Sequence, residues 1–233
     1  MATLDDIQKE VKDILKTEWK RRDGTVVPDA DDVQLGNDAV CLKGTVLYAD
    51  LAESTALVKG HKDWFVAEVY KSYLVSACRL IRLNGGEITA FDGDRVMAVF
   101  IGENKNSAAA KTALMINYVV QNVVNQAIKE QYPNTAFQIH QSVGIDTSDL
   151  FVARTGIRGS NDLVWIGRSA NYAAKLCSLR EASYASYITE DVFNALNEQS
   201  KNGGEPKRTM WDKVMWNDQG IPVYRSSWWW KPD

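Results

Sequence analysis

The sequence predicts an α+β fold in which helices cover one face of an antiparallel-rich central sheet. Short apolar stretches rich in β-branched residues recur along the chain, and between them lie longer segments whose apolar side chains repeat every three or four positions. From residue 44 the order is strand, helix, strand, strand, helix, strand, which is that of a split βαβ unit. We therefore expect a ferredoxin-like βαββαβ core, extended by further C-terminal strands and a helix.

Four strands and two helices make up this core. The strands are short and apolar, whereas the helices have 3.6-residue periodicity and end near glycine or proline. The predicted strands are 44–50, 87–91, 95–100 and 137–145, and the predicted helices are 62–83 and 105–131. The second and third strands flank Asp92-Gly93-Asp94, and an Asp-Gly pair is typical of a hairpin turn.

The C-terminal part continues with shorter elements. We expect strands at 150–154, 162–166 and 184–188, helices at 168–180 and 190–197, and a final hairpin of 209–217 and 222–230. The last strand includes Trp228-Trp229-Trp230, whose side chains would alternate between its two faces. We expect these rings to be buried against the N-terminal helix or a partner chain, because large exposed apolar patches are rare.

The N-terminal part precedes the predicted core. Residues 1–22 place apolar side chains at helical spacing between charged ones, which predicts an amphipathic helix. Residues 23–43 contain Gly, Pro and many Asp, which predicts a connecting segment. The chain is thus expected to consist of a helix with its linker, 1–43, and one domain, 44–233.

The composition narrows the functional classes. The chain has 233 residues, 45% hydrophobic and 24% charged, as is typical of a globular protein. Its net charge of −3 argues against a nucleic-acid partner, and no apolar run approaches the roughly 20 residues of a membrane span. Three widely spaced cysteines and the absence of a secretory signal favour the cytoplasm. Two distant histidines leave carboxylates as the expected catalytic groups.

Two aspartates are the candidates for metal binding. Asp50 ends the first core strand, and Asp94 lies in the hairpin between the second and third strands. Since the first and third strands are neighbours in a split βαβ sheet, both carboxylates are expected at one end of the sheet. Paired carboxylates repel each other, and two divalent cations would remove that repulsion and suit displacement at phosphorus. Taken singly, Asp50 also fits a helix cap, and Asp94 fits an ordinary turn.

The segment after the first metal candidate is the predicted phosphate segment. It runs into a helix, and the free backbone N–H groups at a helix start suit a triphosphate. Its residues are Ala52, Glu53, Ser54 and Thr55.

Three ordered motifs carry a family resemblance. They are YADLAEST at 48–55, FDGDRVMAVF at 91–100 and WIGRSANYAAK at 165–175. With these motifs the chain resembles the class III nucleotide cyclases, the family of the adenylate and guanylate cyclases. The resemblance covers about residues 44–226 and implies that 44–233 is a cyclase catalytic domain.

The resemblance implies a role for each matching residue. Asp50 and Asp94, with the Leu51 carbonyl, match the ligands of two divalent cations, Mn²⁺ or Mg²⁺. Asn171 matches the residue that orients the ribose, and Lys175 matches an arginine that stabilises the transition state. In the family these two groups come from opposite subunits, which implies a homodimer with composite sites. Asn171 and Lys175 also have the spacing of an ordinary surface pair, and lysine lacks arginine's bidentate fork.

The base-reading positions depart from those of the purine cyclases. Where that family typically has Lys and Asp, this chain has Ala90 and Val164, and Tyr48 replaces a Phe. These departures resemble the pyrimidine cyclases of the Pycsar antiphage system, which make cyclic UMP or cyclic CMP. Arg95 is the candidate donor to a pyrimidine carbonyl, and it equally fits a solvated charge beside a turn. Tyr48 equally fits a core aromatic.

The resemblance to the pyrimidine cyclases implies a second messenger that a separate effector protein reads after phage infection. A donor-only arginine favours UTP through uracil O4, although it also suits CTP through cytosine O2 or N3. Lys213 and Arg154 are the two candidates for contact with the γ-phosphate.

Other functions stay open at this point. They are a purine cyclase, another palm-fold enzyme such as a diguanylate cyclase or polymerase, and a regulatory module with a degenerate cyclase fold. No GGDEF-type signature and no basic groove support the palm-fold enzymes.

Overall fold

The architecture is that of a computed structural model, which describes residues 3–181 and 183–233. The helices are α1 (Leu4–Lys16), α2 (Ser54–Gly60), α3 (Asp63–Leu83), α4 (Lys105–Val119), α5 (Asn125–Gln131), α6 (Arg168–Cys177), α7 (Glu190–Asn194) and α8 (Glu198–Lys201). The strands are β1 (Lys20–Asp23), β2 (Asp38–Leu51), β3 (Glu87–Asp92), β4 (Arg95–Phe100), β5 (Gln141–Ile157), β6 (Ser160–Ile166), β7 (Ser186–Thr189), β8 (Asn202–Gly203), β9 (Arg208–Thr209), β10 (Asp212–Trp216) and β11 (Ile221–Ser226). A 3₁₀ turn spans Ala30–Asp32, and a π-helical segment, Val120–Val124, joins α4 to α5.

The chain divides into two compact units. The first comprises the residues up to Lys43 with Asp149–Gly167, and the second comprises Gly44–Ser148 with Arg168–Asp233. In the first unit, β1 pairs in parallel with the start of β2, and the end of β5 forms an antiparallel hairpin with β6. Helix α1 begins with a capping box and has no buried residue.

The second unit is built on a sheet in the order β10-β11-β7-β5-β2-β4-β3. Its four central core strands therefore follow the order of the split βαβ unit, so the predicted fold class is confirmed. The first and third core strands, β2 and β4, are antiparallel neighbours, with Ala49 opposite Val96. Strands β5 and β7 pair in parallel, whereas the β3–β4, β7–β11 and β10–β11 pairs are antiparallel.

Helices α3 and α4 supply the main core of the second unit. Ile81 of α3 and Leu114 of α4 are fully buried, together with apolar residues of β2, β4 and β5. Each fully buried apolar side chain of this size contributes about 1.5–3 kcal/mol, so the helices are held by packing rather than by propensity. No helix among the described residues is long and apolar enough to cross a lipid bilayer.

Several element boundaries differ from the predicted ones. The first helix ends at Lys16 rather than at 22, and the predicted linker contains part of β1 and the start of β2. The strands predicted at 137–145 and 150–154 form one long strand, Gln141–Ile157. The errors in the strands share a cause, because a strand's length depends on a distant partner strand that local sequence does not reveal.

The tryptophan-rich tail is not the end of a strand. Strand β11 stops at Ser226, and the rings of Trp228 and Trp230 pack against the core of the second unit. The Trp230 backbone N–H donates to the Leu114 carbonyl at 3.0 Å, and the Asn117 side chain donates to the Trp228 carbonyl at 2.9 Å. The tail is thus fastened to α4, and the prediction of a strand through residue 230 is wrong.

Candidate active site

Asp50 and Asp94 meet at one end of the sheet of the second unit. Asp50 is the penultimate residue of β2, and Asp94 lies in the turn that leads into the neighbouring strand β4. Gly93 takes a left-handed φ of 62°, which allows this tight turn. Burial raises the pKa of Asp50, and the nearby Asp94 charge raises it further. The end of the sheet therefore holds two carboxylates close enough to repel each other.

Two arginines offset this repulsion. The Arg180 Nη2 donates to Asp50 Oδ2 at 2.8 Å, and the Arg95 Nη2 lies 3.6 Å from the same oxygen. Both guanidinium groups act to lower the pKa of Asp50, against the larger effect of burial. Asp50 is only 4% exposed, whereas the side chains of Arg95 and Arg180 are 32% and 36% exposed. The arginines thus reach from the surface to a buried carboxylate.

One carboxylate oxygen of Asp94 has no hydrogen-bond donor among the described residues. Its Oδ2 is buried and accepts no hydrogen bond from residues 3–181 or 183–233. Leaving such an acceptor unpaired costs about 1–3 kcal/mol, which a bound ligand would recover. Within the described chain, no three His, Cys, Asp or Glu side chains group as a metal site. A cation here would have two protein carboxylates, as Mg²⁺ often does when substrate phosphates and water complete its shell. The donor atoms therefore fit a hard divalent cation.

The phosphate segment between β2 and α2 has a constrained backbone. Glu53 takes a φ of 59°, a left-handed conformation that favours glycine. The Ala52 N–H donates to the His140 carbonyl at 2.8 Å. A non-glycine residue in this conformation costs about 1–3 kcal/mol and is frequent at ligand sites. Surrounding contacts hold the segment in one shape.

Three of the four predicted base-reading residues lie near one another. Tyr48 on β2 and Ala90 on β3 are both opposite Met97, on either side of β4. The Arg95 guanidinium carbon is 6.0 Å from the centre of the Tyr48 ring. Burial raises the pKa of Tyr48, and the Arg95 charge opposes this rise. The fourth residue, Val164, lies on β6 in the first unit.

Helix α6 carries Asn171 and Lys175 and packs closely on the sheet. A Cβ at Gly144 of β5 would lie 2.1 Å from the Ala173 carbonyl oxygen and 2.3 Å from the Cys177 nitrogen. Only glycine allows this approach of helix and strand. The side chains of Asn171 and Lys175 are exposed and make no hydrogen bond or ion pair within the described part of the chain.

The start of α6 is fixed by a buried carboxylate that the sequence did not reveal. Asp146 is fully buried, and Arg168, the first residue of α6, donates to its two oxygens at 3.0 and 3.1 Å. The Thr189 hydroxyl donates to the same carboxylate at 2.6 Å. A bidentate pair with a further donor fixes both the position and the rotation of the helix start.

Arg180 is a second residue that sequence reasoning missed. It lies in the irregular segment after α6, 130 residues from Asp50, so no motif or spacing links the two. Of the candidates for the γ-phosphate, Lys213 is engaged by Glu190 at 2.7 Å, and Arg154 is hydrogen-bonded within the first unit.

Comparison with known proteins gives full-length matches. The chain is 46% identical to a uridylate cyclase of Xanthomonas perforans over 100% of both chains. It is 48% identical to a uridylate cyclase of Burkholderia cepacia over 99% of both chains. Its fold is similar to that of the adenylyl cyclase CyaB from P. aeruginosa, with a TM-score of 0.68 and 20% identity over 81% of this chain and 95% of that chain. No family model matches the chain.

Proposed function

Because the chain belongs to the uridylate cyclase family of class III nucleotide cyclases, we propose that it converts UTP to 3′,5′-cyclic UMP and pyrophosphate. Family membership establishes the coarser activity, that of a nucleotide cyclase and thus a phosphorus–oxygen lyase. The observation that carries the proposal is the pair formed by the buried Asp50 and the half-buried Asp94, whose Oδ2 is unpaired, beside Arg95 and Tyr48.

Asp50, Asp94 and the Leu51 carbonyl would hold two divalent cations, Mn²⁺ or Mg²⁺. When bound, such cations lower the pKa of a ribose hydroxyl and neutralise a triphosphate. The buried position of Asp50 supports this assignment, since a desolvated carboxylate interacts more strongly with a cation than an exposed one does.

The protein's own groups would position the nucleotide. The phosphate segment would receive the triphosphate tail, and Asn171 would orient the ribose. The Lys175 ammonium group would stabilise the charge that builds up on the α-phosphate. The 3′-oxygen would attack the α-phosphorus in line, and pyrophosphate would leave without a covalent enzyme intermediate.

We further propose a homodimer in which each site combines residues of two subunits. The exposed and unpaired side chains of Asn171 and Lys175 support this arrangement, because they are available to a nucleotide held by the carboxylates of a partner subunit. A twofold axis would create two equivalent sites of this kind.

The preference for UTP rests on hydrogen-bonding chemistry. An arginine is donor-only, so Arg95 would pair with uracil O4. Alanine at position 90 leaves no side-chain donor of the purine-reading type on β3. CTP is the alternative pyrimidine, since cytosine O2 and N3 also accept hydrogen bonds.

The cellular role follows from the resemblance to the Pycsar cyclases. The product would be a second messenger in antiphage defence, made in the cytoplasm without a membrane or nucleic-acid partner, and a separate effector protein would read it.

The first experiment incubates the protein with UTP, CTP, ATP and GTP separately, with Mn²⁺, and identifies products by chromatography and mass. Cyclic UMP is the expected product, and EDTA is expected to abolish it until Mn²⁺ is restored in excess. Asp50→Asn and Asp94→Asn are expected to lower the rate by at least about 10³-fold while the fold is kept, because each variant removes an anionic metal ligand. Asp218→Asn is the matched control, since Asp218 is exposed in the loop between β10 and β11.

Each outcome tests a different part of the proposal. Cyclic CMP as the only product would show that the substrate is CTP rather than UTP. A cyclic purine product would contradict the argument that the base-reading residues select a pyrimidine. Full activity in folded Asp50→Asn protein would show that the metal assignment is wrong.

Mixing two inactive variants tests the composite site. In a 1:1 mixture of Asp50→Asn and Asn171→Ala chains, half of the dimers would have one intact site, which gives about a quarter of the wild-type activity. No recovery after subunit exchange, verified by tagged chains, would place both groups in the same subunit.

A further inference from the structure

The Arg180–Asp50 contact occupies a carboxylate that the proposed function assigns to a metal ion. Arg180 donates to Asp50 Oδ2 at 2.8 Å, and Asp50 is 4% exposed. A carboxylate oxygen bound to a guanidinium group at this distance has lost much of its attraction for a second cation, because the two positive charges repel. The arginine and the metal ion are therefore competitors.

The two arginines near Asp50 differ in how firmly they are held. Arg95 begins β4 and pairs across the hairpin with Asp92, so its backbone is fixed by the sheet. Arg180 lies between α6 and β7, outside any helix or strand, and its side chain is 36% exposed. Arg180 is thus the closer partner of Asp50 and the one whose backbone is not part of the sheet.

A cavity next to this contact offers Arg180 a position away from Asp50. It has a volume of about 310 Å³, and its lining includes Arg180 together with Ala52 and Glu53 of the phosphate segment. An arginine that leaves Asp50 for this cavity stays beside the segment proposed to receive the anionic tail of the nucleotide. Release of Arg180 therefore costs less when a polyanion is present.

We propose that Arg180 is a built-in counter-ion that takes the place of the cation on Asp50 and sets the metal concentration at which the site fills. It is a positioning residue, which acts through Asp50. This inference rests on the proposed metal-dependent function. The Arg180 guanidinium group makes the free protein bind a metal ion weakly in the absence of nucleotide, so that the site fills when metal and nucleotide bind together.

The test is the affinity of the full chain for Mn²⁺ alone, measured without nucleotide from the electron paramagnetic resonance signal of free Mn²⁺. Arg180→Ala is expected to bind Mn²⁺ about tenfold more tightly than the wild type, because one charge-assisted, partly exposed hydrogen bond no longer has to be broken. Arg180→Lys keeps the positive charge but lacks the bidentate guanidinium group. Its affinity for Mn²⁺ is expected to lie between those of the wild type and Arg180→Ala. Arg158→Ala, an exposed change of the same charge, is the matched control and is expected to bind as the wild type does.

The sign of the change separates competition from a structural role. If Arg180 only supported the fold, Arg180→Ala would bind Mn²⁺ more weakly, and unchanged or weaker binding in that variant overturns the proposal. Asp50→Asn distinguishes this failure from that of the proposed function. If Asp50→Asn loses Mn²⁺ binding, the metal assignment stands whatever Arg180→Ala does, and if it binds Mn²⁺ like the wild type, the metal assignment itself fails.

Discussion

Gly144→Ala is expected to displace helix α6 and to lower activity more than stability. The added Cβ would lie 2.1 Å from the Ala173 carbonyl oxygen and 2.3 Å from the Cys177 nitrogen, against 3.4 Å for an ordinary contact. Both clashing atoms belong to the backbone of α6, so no side-chain rotation relieves them. The helix must move outward by about 1 Å, a displacement that typically costs about 10²-fold in rate when it misplaces groups around a reacting centre.

The cost in stability is smaller. Overpacking of this kind costs about 1–3 kcal/mol, and the reduced freedom of the unfolded chain offsets about 0.4–1 kcal/mol of it. The expected result is a free energy of unfolding lower by about 1–2 kcal/mol. The protein then stays folded, while the helix that carries Asn171 and Lys175 is displaced.

Urea unfolding, followed by tryptophan fluorescence, and the rate of cyclic product formation measure the two effects. Gly60→Ala is the matched control, since a Cβ there meets no atom within 4 Å. It is expected to change the free energy of unfolding by no more than about 0.5 kcal/mol and the rate by less than about twofold. Wild-type stability in Gly144→Ala would refute the close approach of α6, and lost stability with full activity would refute the role given to the position of α6.

Two further predictions concern groups buried in the second unit. Asp146→Ala is expected to lower the free energy of unfolding by about 3 kcal/mol. This value is at the lower end for breaking a buried ion pair, because the Arg168 side chain that loses its partner is 43% exposed. A loss below about 1 kcal/mol in urea unfolding would contradict the anchoring role of Asp146. Burial raises the pKa of the Cys177 thiol. The folded protein is therefore expected to keep Cys177 unmodified by iodoacetamide at about pH 8, while the half-buried Cys41 reacts. Peptide mass analysis measures both thiols, and equal labelling would contradict the burial of Cys177.

The parts of the fold that sequence predicted are those with strong local signals. The Asp92-Gly93 turn and the apolar runs on either side define the β3–β4 hairpin, and the topology rule for split βαβ units then places β4 beside β2. Since Asp50 and Asp94 stand at the ends of these elements, correct strand order was enough to bring them to one edge.

The parts that sequence did not predict depend on distant partners. The contact of Arg180 with Asp50 spans 130 positions, and that of Arg168 with Asp146 spans 22 positions across two elements. A lone arginine or aspartate has no local pattern that names its partner. The roles of Asn171 and Lys175 stay predictions for the same reason, because their proposed ligand and partner subunit are not local to them.

The charge balance around Asp50 has a consequence for how the fold tolerates substitution. Two guanidinium groups, those of Arg95 and Arg180, face the carboxylate of Asp50, so the protein itself supplies the charges that neutralise this buried group. The fold of this corner is thus balanced by the protein's own side chains, without any bound ion. A chain that lost Asp50 is therefore expected to keep its architecture, because the released Arg180 side chain is already 36% exposed and can be hydrated. Asp50 can thus be exchanged without first adding new stabilising contacts elsewhere in the fold.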